Sequence, residues 1–446
     1  MGKRVCMLTT DPDLVDTRIV NQATSLIDAG YSVRLTMPSK TAEHHSQLIN
    51  GFEVCYVPPA LPSRKALLRL LTIRSWAKAF QLVGDLYEEQ LKKEAQGAAS
   101  AASIDGKDHQ TVRSGTSRIK KAIYKLFRRT RLTYSLLLLE VAFTRAVREF
   151  KPDIIQVHDL PMLRVGRMLA EELKAKLIYD AHEFYPFQYQ DALLVRFWTE
   201  RERVDIHSPD LIMTVNSFLA DILKDFYSID KPHVIHNTAP YETHFEKRQA
   251  SRAQLTQNAL PPDERVCVLL YLGLVAEERG VFEMLEMLSF LPNHYVLAIM
   301  GDGEVRKEMQ ERAAELQLGK RLVFHGMLPR ESVPGLVVGA DIGLVIQKPV
   351  AICQINCSPN RLSDYVMGGL PVAMSDLPFL RWFVETYECG VLFDPEDPRS
   401  IARAIQEIFE DPQRFEVLRQ NALKAAECFN WDVEGQKFLK LYASLN

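Results

Sequence analysis

The sequence predicts an α/β protein of two similar halves, each a mostly parallel sheet covered by helices. Three observations carry this. The length of 446 residues exceeds what a single hydrophobic core usually serves and suggests two or three domains. Short apolar runs alternate with runs of helical period along most of the chain, the order that builds βαβ units. The alternation gives way to a polar stretch from Thr238 to Asp263 and then restarts.

In the first half, Lys3 to Leu8 is the opening strand. A helix from Thr17 to Ala29 places Ile19, Ala23, Leu26 and Ile27 on one face, and Gly30 suits the left-handed position after it. Tyr31 to Met37 is the next strand. Later strands are expected over Asp153 to Val157, Lys176 to Asp180, Leu211 to Val215 and Val234 to His236, with helices over Leu160 to Lys174 and Phe218 to Phe226. The second half repeats the pattern. Its strands are Val266 to Leu272, Tyr295 to Met300, Leu322 to His325, Ile342 to Ile346 and Pro371 to Ser375. Its helices are Val281 to Ser289, Glu304 to Leu316, Glu331 to Val338 and Pro359 to Met367, and the tail from Ser400 to Asn446 is helical. The expected organisation is an N-terminal domain over 1–237, a linker over 238–263, a second domain over 264–415 and C-terminal helices over 416–446. A mobile insertion is expected at about 92–117, where Ala, Ser, Gly and Lys dominate without periodicity.

Composition narrows the function class. Hydrophobic residues are 47% and charged residues 25%, as in ordinary globular proteins. Lys plus Arg total 54 and Asp plus Glu 57, a net charge of -3 that gives no support to a dedicated nucleic-acid binder. The average hides a basic stretch. Leu61 to Arg131 holds sixteen Lys/Arg against six Asp/Glu, a local balance of +10. Within it Lys120, Lys121, Lys125, Arg128 and Arg129 surround an apolar stripe of Ile119, Ile123, Leu126 and Phe127, the pattern of a helix lying on an anionic membrane. The alternative is a stripe packed on the sheet with solvated charges. The N-terminus shows no long apolar segment with a cleavage site, and no run reaches the ~20 apolar residues of a spanning helix. Seven cysteines, an odd number, suit reduced thiols. The expected location is cytoplasmic, peripheral at the inner face of the cell membrane.

In open α/β sheets ligands bind beyond the carboxyl ends of the strands, so residues just after each strand are the candidates. The run Ser358-Pro359-Asn360-Arg361-Leu362-Ser363-Asp364 reads as a helix start with Ser358 as N-cap and Pro359 as first helical residue. The N–H groups of Asn360, Arg361 and Leu362 would then face an anion. Asp364 lies one turn further on the same face, where it either accepts from ribose hydroxyls or stabilises its own helix. His158 and His182 stand at successive strand ends, and Glu183 follows His182. The His-Glu pair lacks the HExxH spacing of a zinc site, so no metal is expected.

The run from Ser358 to Pro378 resembles the nucleotide-sugar-binding helix of GT-B glycosyltransferases of family 4 type. That family carries two glutamates eight positions apart; here the positions fall on Asn356 and Asp364. Tyr271-Leu272-Gly273 followed by Arg279-Gly280 resembles the family's diphosphate-clamping turn, which implies that Arg279 holds the donor diphosphate. Leu274 stands where relatives often have a further arginine. Gly301-Asp302-Gly303 resembles the Gly-x-Gly turn of the next strand, and His325 to Pro329 resembles the loop whose backbone meets the base, at Met327 and Leu328. Asp16 and Arg18 match an Asp-x-Arg in the first loop of many relatives, although Arg18 can equally pair with Asp16.

The resemblance implies a GT-B fold, two Rossmann-like domains facing a cleft with the C-terminal helix returning to the N-terminal domain. It implies a retaining, metal-independent transfer from a UDP- or GDP-linked sugar, the donor being substrate rather than cofactor, to a lipid-linked or glycan acceptor. Implied catalytic residues are His158, Arg279 and Asp364. The implied donor site holds Gly273, Gly301, Met327, Leu328, Asn356, Asn360, Arg361, Leu362 and Asp364, and the acceptor side holds Asp16, Arg18, His182 and Glu183. The competing readings are a non-catalytic homologue that binds nucleotide sugar or scaffolds a partner, and a sugar-nucleotide epimerase of the same fold. A dinucleotide oxidoreductase is disfavoured because no GxGxxG follows the first strand.

Overall fold

The computed structural model describes residues 2–12, 16–41, 43–58, 136–189, 191–257 and 266–445. The basic stretch, including Lys120, Lys121, Lys125, Arg128 and Arg129, and the insertion expected at 92–117 lie outside them.

Two sheets form. The first contains β1 (Arg4–Leu8), β2 (Ser32–Pro38), β3 (His45–Ile49), β4 (Phe52–Val57), β5 (Ile154–His158), β6 (Lys176–Ala181), β7 (Leu211–Thr214) and β8 (His233–Val234). Their order is β3-β4-β2-β1-β5-β6-β7-β8. All pairs are parallel except β3 with β4. The second contains β9 (Cys267–Leu272), β10 (Tyr295–Met300), β11 (Leu322–Gly326), β12 (Ile342–Val345), β13 (Val372–Ser375) and β14 (Gly390–Phe393). It is wholly parallel, in the order β11-β10-β9-β12-β13-β14. The order reverses between β9 and β12, which makes the gap beyond their carboxyl ends the expected ligand crevice.

Strands covered on both faces must be apolar throughout. Cys267–Leu272 and Tyr295–Met300 are buried at every position. The helix Thr17–Asp28 is capped by Asp16, whose carboxylate accepts from the Arg18 backbone N–H, and it turns Ile19, Ala23 and Leu26 into the core. Each sheet carries an apolar cluster on either face.

Several features differ from the sequence reading, which placed neither β14 nor the helices Ala192–Asp205 and Pro378–Tyr387. The β3–β4 hairpin was not expected. It turns through Asn50 and Gly51, both at positive φ, the dipeptide that fits a two-residue hairpin, and β3 is an exposed edge strand without an apolar period. The stretch read as linker carries the helix Arg248–Leu255, which docks on the second sheet through Arg248 (3.1 Å) and Arg252 (2.8 Å) to Asp341. The helix with the motif residues begins at Arg361, not at Pro359, and Asn360 is its N-cap.

The last helix, Trp431–Ser444, returns to the first sheet. Trp431, Phe438 and Tyr442 pack with Val5, Ile154 and Met213. The Trp431 indole donates to Ser25 Oγ (2.9 Å), and the Tyr442 hydroxyl donates to Gln156 Oε1 on β5. The chain crosses between the sheets at Thr238–Ala239. There the Ala239 N–H donates to Ser363 Oγ (3.0 Å) and its carbonyl accepts from the Trp431 N–H (2.8 Å). The two sheets are thereby tied at one side, leaving a cleft between their strand ends.

Candidate active site

The first wall of the cleft is built at the carboxyl ends of β5 and β6. Parallel pairing sets His158 directly beside Asp180. Asp180 Oδ2 lies 3.4 Å from His158 Nδ1 and 3.3 Å from His182 Nε2, and the two imidazoles approach to 3.2 Å. The other nitrogen of His182 faces Asp16 (3.2 Å) and Asp159 (3.5 Å). Burial opposes charge on His182, but Asp159, Asp180 and Asp16 outweigh it and hold the imidazolium well above its ordinary range. Burial pushes His158 the other way, with Asp180 only partly offsetting it, so His158 is the neutral member of the pair. Burial also opposes ionisation of Asp180, yet Arg18 and His182 overcome it and keep this carboxyl well below the usual carboxylate range.

Arg18 corrects the sequence reading. It does not pair with Asp16 through its side chain. Its guanidinium forms a two-pronged ion pair with Asp180 (3.0 and 2.7 Å) and also donates to Ile235 O (2.6 Å) and Asn237 Oδ1 (3.1 Å). Arg18 is 2% exposed, so it braces the wall rather than presenting a charge to the acceptor. His158, Asp180 and His182 have ligand atoms close enough for a metal. The Arg18 guanidinium donates to both oxygens of that carboxylate, and Gln22 donates to one of them.

Glu183 follows His182 and is half-buried. Burial, reinforced by Asp159, raises its carboxyl to about 7, with His182 and Arg279 pulling it down. Arg279 belongs to the opposite wall, so the Glu183 carboxyl feels a charge from across the cleft. A carboxyl raised from 4.5 to about 7 favours folding while protonated, and that contribution falls as pH climbs from about 4.5 to 7. Glu183→Gln is therefore expected to gain stability relative to the parent between pH 5 and pH 8. Thermal melts at both values check this, and an unchanged difference would contradict it.

The second wall is the crevice between β9 and β12. Gly273 ends β9. Gly301, at φ +152°, lies so close to it that a Cβ there would sit 1.8 Å from the Gly273 carbonyl oxygen, so the two loops stack backbone on backbone. Arg279 closes a short 3-10 turn before Gly280, and its Nη1 donates to Gln347 Oε1 (2.5 Å). Arg361 turns inward: Nη1 donates to Leu272 O (2.8 Å) and Nη2 to Ile346 O (3.3 Å), with the guanidinium 4.9 Å from the centre of the Tyr271 ring.

The remaining motif residues are placed less as expected. Asp364 is buried, and each of its oxygens accepts from Arg330 (2.8 and 2.6 Å). Burial raises this carboxyl and Arg330 draws it back. The Leu362 N–H is spent on Pro359 O (3.1 Å) and its side chain is in the core. Ser358 caps nothing, and its buried hydroxyl has no partner. The Asn356 side chain donates to Ile352 O (2.9 Å), while its backbone carbonyl accepts from Asn216 across the cleft (2.9 Å). Met327 is 72% exposed, and Leu328 packs on the core beneath it. Asn360 and Arg330 line a pocket at the cleft floor with Thr17, Arg18 and Asn237. Sequence reading missed Arg330, because nothing local ties it to a carboxylate 34 positions later. It also missed Gln347, which only the strand order brings to Arg279.

The family model of glycosyl transferases group 1 matches residues 253–425, and that of glycosyltransferase family 4 matches residues 102–241. Together they take in both walls of the cleft and most of the chain. The chain belongs to the GT-B glycosyltransferases of family 4 type. Among curated relatives, a 2-deoxystreptamine N-acetyl-D-glucosaminyltransferase of Streptomyces fradiae is 25% identical over 60% of this chain and 65% of its own, so the chain spans just under two thirds of that relative's length. A D-inositol 3-phosphate glycosyltransferase of Thermobispora bispora is 34% identical over 44% of this chain and 46% of its own. The fold is similar to a sucrose-phosphate synthase of Thermosynechococcus elongatus, with 15% identity, TM-score 0.68 and 99% of each chain covered. It is also similar to the Anabaena protein HepE solved with UDP-glucose, with 13% identity, TM-score 0.67 and coverage of 99% of this chain and 100% of that one.

Proposed function

We propose that the protein is a retaining, metal-independent glycosyltransferase that moves a sugar from a UDP- or GDP-linked donor to a lipid-linked or polysaccharide acceptor. The observation that carries this reading is Arg279, fixed on the crevice between β9 and β12 and facing Glu183 and the His182 network across the cleft. A nucleoside diphosphate leaving group develops negative charge, and a guanidinium already fixed there stabilises it without a divalent ion. In the proposed step the bond from the anomeric carbon to the diphosphate oxygen breaks, the oxygen keeping the electron pair. The acceptor hydroxyl bonds to that carbon on the same face, and its proton passes to the departing phosphate. The UDP-glucose complex of the Anabaena neighbour supports a nucleotide-sugar donor.

The test is nucleoside diphosphate release from a panel of nucleotide sugars, with and without a membrane lipid extract. Release that requires the extract supports the proposal. Release with a soluble polyol instead, such as the 2-deoxystreptamine or D-inositol 3-phosphate for which the relatives are named, replaces the acceptor class. Donor epimerisation without any acceptor points to an epimerase.

A second reading, binding without turnover, is favoured by one observation. Asp364 and Asn356, the two positions the resemblance assigns to the donor sugar and ribose, are both engaged within the protein. Tight donor binding with no release for any sugar would select it.

The proposed location is the inner face of the cell membrane, held by the basic stretch from Leu61 to Arg131. No helix among the described residues is long and apolar enough to cross a membrane. Each basic group near an anionic surface contributes about 1 kcal/mol. Replacing Lys120, Lys121, Arg128 and Arg129 by glutamine is expected to weaken binding to anionic liposomes by at least about a hundredfold. Unchanged sedimentation with liposomes would remove this stretch as the anchor.

A further inference from the structure

We infer that Arg361 is a second anion-binding side chain of the donor site, its guanidinium taking the donor diphosphate together with Arg279. This rests on the glycosyltransferase reading and adds to it a residue whose side chain that reading does not use.

The first observation is where the guanidinium lies. Arg361 opens its helix, yet it is 8% exposed. Its two terminal nitrogens reach Leu272 O, the last residue of β9, and Ile346 O, directly after β12. It therefore spans the two strands between which the sheet order reverses. Arg279 is held by Gln347, the residue after Ile346. Both cations also act on the Cys357 thiol, where burial raises the pKa and the two arginines lower it. Chain positions 82 apart thus deliver two positive charges to one strand end.

The second observation is what these cations lack. Elsewhere the buried or half-buried arginines of the cleft region are paired: Arg18 with Asp180, Arg330 with Asp364, and Arg248 and Arg252 with Asp341. Among the described residues, Arg279 and Arg361 form no ion pair. Their hydrogen-bond partners are carbonyl and amide oxygens, which satisfy N–H groups without neutralising the charge, and Arg279 faces the Glu183 carboxyl only from across the cleft. The Nε of each is buried without any acceptor, and so is Ser358 Oγ, three residues before Arg361. A buried cation without a counter-ion is costly. The buried Arg361 and the half-buried Arg279, both acting on Cys357 and with three orphaned polar groups among them and Ser358, make a site suited to an anion. A diphosphate carries the charge and the oxygens to satisfy both guanidiniums.

Geometry also explains why the loop admits this residue. A Cβ on Gly273 would lie 2.8 Å from Arg361 Nη1, so the loop backbone rests directly on the guanidinium. The next residue, Leu274, is 52% exposed and contributes no charge.

The test uses the full chain and calorimetric titration with UDP, GDP, the matching nucleosides and inorganic pyrophosphate. Arg361→Gln is expected to weaken nucleoside diphosphate binding roughly 10–100-fold while nucleoside binding stays unchanged. Pyrophosphate should follow the diphosphate, which separates recognition of the anion from recognition of the base. Adding Leu274→Arg to Arg361→Gln should restore part of the lost affinity, because it returns a cation to the same loop; a merely structural arginine would not be rescued this way. If Arg361→Gln does not fold, Arg361→Lys keeps the charge and one donor but loses the fork, and about tenfold weaker diphosphate binding is expected. Unchanged diphosphate affinity in a folded Arg361 variant, with loss in Arg279→Ala, overturns this inference and leaves the glycosyltransferase reading intact. Equal loss of nucleoside and nucleoside diphosphate binding also overturns it. A wild-type protein that binds no nucleoside diphosphate overturns both.

Discussion

Arg18→Ala is expected to destabilise the N-terminal sheet by about 3–5 kcal/mol, because it strips one partner from a buried ion pair. The side chains of Arg18 and Asp180 are 1% and 0% exposed. Removing the guanidinium leaves Asp180 charged and dry, with Gln22 (2.8 Å) and the two histidines as its remaining partners. It also orphans Ile235 O and Asn237 Oδ1 beside the chain crossing between the sheets. For a unit of this size that is a fall in melting temperature on the order of 10 °C, read by calorimetry. The pH dependence follows from the same pair. Asp180 is held well below its ordinary value of 3.8, so its contribution is present above that value and is lost as pH falls through the folded one. The difference between parent and variant should therefore narrow in strong acid. The double replacement Arg18→Met with Asp180→Leu removes both charges and should recover part of the loss. A melting curve unchanged by Arg18→Ala would mean that the pair is not a brace, and the account of the first wall would fail with it.

The sequence made the strands of both sheets legible because their burial on two faces demands continuous apolar runs. Lys176–Ala181 and Tyr295–Met300 were located to within a residue for that reason. β3 was not found, since an exposed edge strand has no buried face to impose a period; the Asn50-Gly51 turn and the apolar positions of β4 after it were the available signal. Site residues at strand ends were legible by the same logic. His158 and His182 were found because a strand carboxyl end is a short stretch of sequence, and Arg279 through the family resemblance of its turn. Their partners were not. Asp180 meets Arg18 over 162 positions and Arg330 meets Asp364 over 34, and no local pattern encodes such pairs. Ser358 shows the limit of local rules. Its residue type suits an N-cap, but packing shifts the helix start to Arg361 and sends that arginine inward instead of to solvent.

Arg279→Ala is expected to lower the turnover number of nucleoside diphosphate release by about 10²–10³, the largest effect on activity of any substitution proposed. The physical reason is the timing of charge. A bound nucleotide sugar has its negative charge spread over the esterified diphosphate, and breaking the anomeric bond adds charge at the bridging oxygen. A cation that is already fixed stabilises the later state more than the earlier one, so its loss falls on turnover more than on donor affinity. Arg279 is fixed in this sense. Its turn ends at Gly280, whose φ of +64° suits glycine, and Gln347 holds Nη1 from a strand end that cannot swing. The substitution should leave the fold intact, because Arg279 is only half-buried on a surface turn, and an unshifted melting curve is the control. Arg279→Lys should restore a minor part of the rate, since an ammonium keeps the charge and loses the planar fork. Two outcomes argue against the proposal. Turnover within about threefold of the parent would move the leaving-group charge to other groups. A rise in KM alone, with turnover unchanged, would make Arg279 a ground-state contact that holds the donor equally before and during the transfer.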